Sequence, residues 1–306
     1  MHTIDIRGER LQAGAATLRS TLSDLLDRLY ARDGGLERTR LHALVVTDDM
    51  PHTPSGGAPA DMPPLLRQDD GAGFTLYLAA PFVEQSLAGE ADQLLPMVHA
   101  LHRELWRAEI AAGTAAAAPA DALAAQFAPI AALMLDEYRA NRSSAWSLPG
   151  DADLLLPHLL RLLDELPAAS ERALADYRID GDLETLVGLG VARLTHLMQT
   201  TAFCMGYLAG LGRSAADIAP ELQAGIASSM LGREWPRIAA LLAGAAASEG
   251  EARTLQADML RTRVIAVLGQ MGLGARLGPD GTVWMDVAEA SAQATAEAVS
   301  RLGPLH

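Results

Sequence analysis

Two segments of this chain carry residues that can do chemistry at spacings that matter. One reads Met97-Val-His-Ala-Leu-His-Arg-Glu-Leu-Trp-Arg-Ala-Glu109, the other Leu135-Asp-Glu-Tyr-Arg-Ala-Asn-Arg-Ser-Ser144. On a helix, two imidazoles one turn apart hold a transition-metal ion, and a glutamate between them activates a bound water. Here that glutamate is Glu104, but the two positions that bracket it at the ligand spacing are Arg103 and Arg107. Guanidinium stays protonated at physiological pH, offers only donors and has no lone pair for a cation.

With Arg103 set at zero and about 100° per residue, His99 falls near about −40° and Arg107 near about +40°. His102 falls at about −100° and Glu104 at about +100° on the same wheel. His99, Arg103 and Arg107 therefore share one stripe. Both arginines can fork onto carboxylates, and Glu137 of the second segment is the natural partner. A cation pair there supplies the charge of a metal without its chemistry. Two other readings compete. In the plainer one, Arg103, Glu104 and Arg107 are surface residues, and Glu104 pairs with Arg107 at i,i+3. The other is a rearranged metal site of His99, His102 and Glu137, with His52 as a fourth ligand and Glu104 as base. Against it, His99 and His102 point about 60° apart on the wheel.

The second segment resembles the later helix of the HExxH zincin-like proteins of bacteria and their mobile elements, relatives of small gluzincin-type metallopeptidases. That helix has the form (Asn/Asp)-Glu-Tyr-x-Ala-x-Arg-x-Ser, matched here by Asp136, Glu137, Tyr138, Ala140, Arg142 and Ser144. The first helix of such proteins reads approximately HHExxH. Its histidines fall on His102, Arg103 and Arg107, and its glutamate on Glu104. The Leu44–Asp49 strand, the Tyr207–Leu211 helix and the Gly281–Val287 strand fit the same pattern. The resemblance implies a zinc peptidase in which Glu104 is the base and Glu137 the third ligand. Loss of both imidazoles removes metal and activity together. The expectation is thus a pseudoenzyme: a catalytically inactive protein acting by binding or regulating another protein, with no cofactor. Its relic network would comprise Arg103, Arg107, Glu137, Tyr138 and Arg142. A zinc-dependent hydrolase on the rearranged site is the alternative, and a helical interaction protein with no relic site is the third reading.

Composition narrows the classes. The 306 residues carry a formal charge of −14, which argues against a nucleic-acid or anionic-membrane surface. Half are hydrophobic but only 4% aromatic, with Ala and Leu filling apolar positions, a bias toward helix. The single cysteine, Cys204, excludes an internal disulfide and lies in an apolar run that suits a buried thiol. No stretch reaches the ~20 uninterrupted apolar residues of a membrane span, and Met1–Arg7 lacks a leader pattern. A bacterial-type cytoplasm is the default expectation.

The elements that must position these residues follow from periodicity. Residues 8–32 form an amphipathic helix ended by Asp33-Gly-Gly35. Residues 41–47 and 73–79 are strands lying side by side, separated by a proline-rich loop over 48–72. A helix over 90–111 carries Arg103–Arg107, and a second ends near Ser144. Helices are expected at 151–165, 167–178, 182–211, 215–228, 233–248 and 250–270, with breaks at Gly210, Gly212 and Gly232. A strand, Pro-Asp-Gly turn and strand occupy 274–287, followed by a helix over 288–301. Gly206 and Gly210 suit close helix packing, while His158 and His196 read as single structural histidines. The expected fold is α+β and mostly helical in one domain, 1–306. It has a zincin-like front (1–112, a small sheet plus an active-site helix), a helical part (113–270), and a terminal hairpin with a last helix (271–306).

Overall fold

The first β-prone run becomes an inner strand of a four-stranded sheet, with a strand paired on each side of it. In the computed structural model, which describes residues 2–51, 64–88, 91–113, 119–148 and 156–287, β1 (Thr3–Ile6), β2 (Leu41–Thr47), β3 (Leu65–Asp69) and β4 (Phe74–Ala79) form one sheet. Its order is β1-β2-β4-β3. β2 runs parallel to both β1 and β4, with Leu44 opposite Leu76, so the two predicted strands lie side by side. β3 closes the edge antiparallel to β4.

Two of these strands correct the sequence reading. β1 has four residues, too few for a periodic signal, and its place is set by pairing with β2. β3 falls inside the stretch read as a loop; as an edge strand it pairs on one side only and ends in polar Arg67-Gln68-Asp69, so no apolar alternation marks it. The remainder of that loop, 52–63, with His52, lies outside the described residues.

Residue contacts divide the chain into two compact units, Met1–Ala115 with Arg139–Ala152, and Ala116–Tyr138 with Asp153–His306. In the first unit α1 (Ala15–Arg32) links β1 to β2, and α2 (Ala80–Ala88) and α3 (Ala91–Ala112) follow β4. Leu22, Leu26 and Leu29 of α1, Leu44 and Leu76 of the sheet, and Leu101 and Leu105 of α3 share one buried core. Burying each such leucine is worth about 1.5–3 kcal/mol. The final residues of α4 (Ala122–Ser144) and the 3₁₀ turn Ala145–Ser147 also belong to this unit.

The second unit is helical. α5 (Leu156–Asp180), α6 (Leu183–Leu211), α7 (Ala215–Ile218), α8 (Pro220–Ser228), α9 (Trp235–Ala246) and α10 (Gly250–Gln270) surround a core centred on α6. α5 runs unbroken through Pro167, where the sequence suggested two helices; buried Leu163, Leu166 and Ser170 hold the helix on both sides of the lost N–H. Pro220 has the opposite effect, starting α8 where one helix over 215–228 was expected. Asp182 caps α6 by accepting the Thr185 N–H, and Gly212 ends it at φ 66°, while Gly210 stays helical. Cys204 is a buried free thiol whose pKa burial pushes up. β5 (Leu273–Leu277) and β6 (Val283–Val287) make the expected hairpin, its turn using Gly281 at φ 81°. The helix expected over 288–301 lies outside the described residues. The fold is thus α+β and mostly helical. No helix among the described residues is long and apolar enough to cross a membrane.

Candidate functional site

α3 is buried on two faces, and this decides what its charged residues do. Met97, Leu101, Leu105 and Ala108 enter the sheet core of the first unit. On its other side His99 and His102 are also buried, because the 3₁₀ turn after α4 packs against the helix. Only a narrow strip is left for Arg103 and Arg107.

Glu104 sits at the edge of the core with 4% of its surface exposed. Its Oε1 accepts from Arg107 Nη1 at 2.8 Å and from Arg103 Nη2 at 3.2 Å. Burial opposes its charge, but Arg107 and then Arg103 outweigh that cost, helped by Arg67 of β3, and hold the carboxyl below its ordinary value. The local Glu104–Arg107 pair therefore forms as the plainer reading had it. The carboxylate is not a surface group, however, because the helix face that carries it packs inward.

His99 and His102 diverge. His99 Nδ1 lies 3.2 Å from Ser147 Oγ, which itself donates to the Ser144 carbonyl. Burial, then the charges of Arg103 and His102, lower the His99 pKa to about 4. His102 turns the other way, its Nε2 2.6 Å from Asp33 Oδ2. Burial lowers its pKa, with Asp33 opposing. The same carboxylate accepts from Trp106 Nε1 at 2.8 Å and from Trp146 Nε1 at 3.0 Å. The His102 ring meets Trp146 edge-on, and the Arg32 guanidinium covers that indole at 3.8 Å. Asp33 was read only as a helix end; its role as a three-donor hub depends on residues 69 to 113 positions away, which no local pattern links.

The second segment divides between the units. Glu137 and Tyr138 lie in the helical unit, where Glu137 is buried and accepts from Gln199 Nε2 at 2.9 Å. Tyr138 is buried in that core, its backbone against Gly206 of α6. The glycine thus serves close helix packing, as its apolar setting suggested. Arg142, in the first unit, is exposed and forms no ion pair among the described residues. Among the described residues no group of three or more His, Cys, Asp and Glu is placed to hold a metal ion.

One further cleft escaped the sequence. It opens where the parallel strands end, beside Arg7, Thr47, Asp48, Asp49 and Glu84, with a volume of about 670 Å³. Carboxyl ends of parallel strands are where open sheets present loops to ligands. Here Asp48 is engaged by the Glu9 N–H and Arg7 by Asp5. Comparison with protein-family models, curated proteins and solved structures returns no match for this chain.

Proposed function

We propose that this chain is a catalytically inactive, zincin-like protein that works by binding or regulating another protein. The observation that carries the reading is the pair of guanidiniums on buried Glu104. The group that would activate water as a general base is instead the shared counter-ion of Arg103 and Arg107. Its depressed pKa makes it a poor proton acceptor at neutral pH. Arginines at the two ligand positions offer no lone pair, and the two nearby histidines point to different partners, Ser147 and Asp33. The zincin-like reading itself rests on the Asp136–Ser144 match and on the register of Arg103-Glu104-Leu105-Trp106-Arg107.

The purified full chain, incubated with Zn²⁺ and desalted, is expected to retain no ion that depends on His99, His102 or Glu137, and to cleave no peptide. A stoichiometric zinc lost on His99→Ala or Glu137→Gln would overturn the reading. The double substitution Arg103→His with Arg107→His is expected to gain zinc over the parent chain; no gain would favour a helical interaction protein without a relic site.

A further inference from the structure

His158 on α5 and His196 on α6, read from the sequence as unrelated, face each other across the helix pair of the second unit. Their Nε2 atoms are 3.2 Å apart, with ring centroids at 5.4 Å and planes inclined by 63°. His196 is exposed and His158 half-buried, so ions reach the pair from solvent.

Two imidazoles on one tetrahedral ion, with metal–nitrogen bonds of about 2.0–2.1 Å, place their ligating nitrogens about 3.3 Å apart. Adding the ring radius, their centroids fall about 5.2 Å apart in that geometry. Both separations are already present between helices whose backbones are fixed by extensive packing. We propose that His158 and His196 form a bidentate site for a borderline divalent transition-metal ion, with water completing the coordination. Imidazole nitrogens match hard ions such as Mg²⁺ poorly, and affinity should follow Cu²⁺ above Ni²⁺ and Zn²⁺, with the nearby Glu165 carboxylate favouring any cation.

Without metal, the pair is a hydrogen bond with a defined tautomer. Arg161 Nη2 lies 3.0 Å from His158 Nδ1, so that nitrogen must accept and the proton of neutral His158 sits on Nε2, pointing at His196. Metal binding therefore requires the His158 proton to move to Nδ1, which then cannot accept from Arg161. Arg161 is exposed and can swing away. Its charge and its hydrogen bond both oppose the ion, so it works as a brake on the site.

This assignment is tested by calorimetric titration of the full chain with Ni²⁺ and Cu²⁺ at neutral pH, beside His158→Ala, His196→Ala and Arg161→Ala. One ion per chain is expected to be lost or weakened by about tenfold or more in each histidine variant. Arg161→Ala should strengthen it by roughly threefold to tenfold, a direction that a folding defect would not produce. Binding unchanged in both histidine variants, no binding at all, or weaker binding in Arg161→Ala would each overturn it. These outcomes are independent of Glu104 and of the reading proposed for α3.

Discussion

Arg107 reaches back one helical turn to Glu104, Nη1 to Oε1 at 2.8 Å, and the carboxylate it holds has a side chain only 5% exposed. The pair is local in sequence but semi-buried in space, so its energetics are those of a desolvated ion pair rather than of a surface one.

Removing one member should therefore cost more than the few tenths of a kcal/mol typical of helix-surface pairs. Arg107→Ala removes the shorter of the two hydrogen bonds to Glu104 and is expected to destabilise the fold by about 1–3 kcal/mol in urea unfolding. A change within about 0.5 kcal/mol would mean that Glu104 is effectively solvated. Because the Glu104 pKa is depressed, its contribution is present above the ordinary carboxyl value of 4.5 and is lost as pH falls through the folded value. Glu104→Gln should flatten that acidic limb.

His99 titrates in a separate window. Its folded pKa of about 4 lies below the ordinary 6.5, so the unfolded chain binds the extra proton first. Its contribution is complete above the unfolded value and is lost progressively as pH falls from there toward the folded one. Between about pH 7 and about pH 5 the loss should be on the order of 2 kcal/mol. His99→Gln is expected to reduce this slope, leaving the smaller share due to His102. Identical slopes in parent and variant would show that His99 is not desolvated.

Asp33 is a different kind of centre, one carboxylate receiving His102, Trp106 and Trp146. Asp33→Asn keeps the shape but turns one acceptor into a donor, facing N–H groups that need acceptors. A loss of about 2–3 kcal/mol is expected, with a shift in tryptophan emission from the two released indoles. Unaltered emission together with parent stability would contradict the hub.

Gly206 tests packing in the helical unit. A Cβ built there falls on the Tyr138 carbonyl and close to its Cα, both backbone atoms that cannot rotate away. Despite alanine's better helix propensity, Gly206→Ala should destabilise by about 1–3 kcal/mol or more. Gly188, in the same helix with open space around its Cβ position, is the control, and its alanine variant should be neutral or stabilising.

Much of the fold is legible locally. α1 emerges from its three-four apolar spacing and β4 from its alternation, since one-sided burial imposes 3.6- or 2-residue repeats, while β2 is marked by its run of β-prone residues. The same logic set His99 on a stripe with Arg103 and Arg107 but carried no sign of its burial. A wheel assigns one buried face, whereas α3 has two, and the second is created by a turn more than forty residues away. His158 and His196 were opaque for a related reason, because each lies on its own helix and their approach is a property of the helix pair.

By itself, the sequence determined the helical bias, the net negative charge, the arginines at the two positions that bracket Glu104, and the i,i+3 spacing of Glu104 and Arg107. All of these depend on residue type and helical period. Only the tertiary structure decided that Glu104 is buried, that Asp33 gathers one histidine and two indoles, and that two distant histidines meet. Burial and long-range hydrogen bonds depend on which surfaces pack together, and separation along the chain carries no record of that.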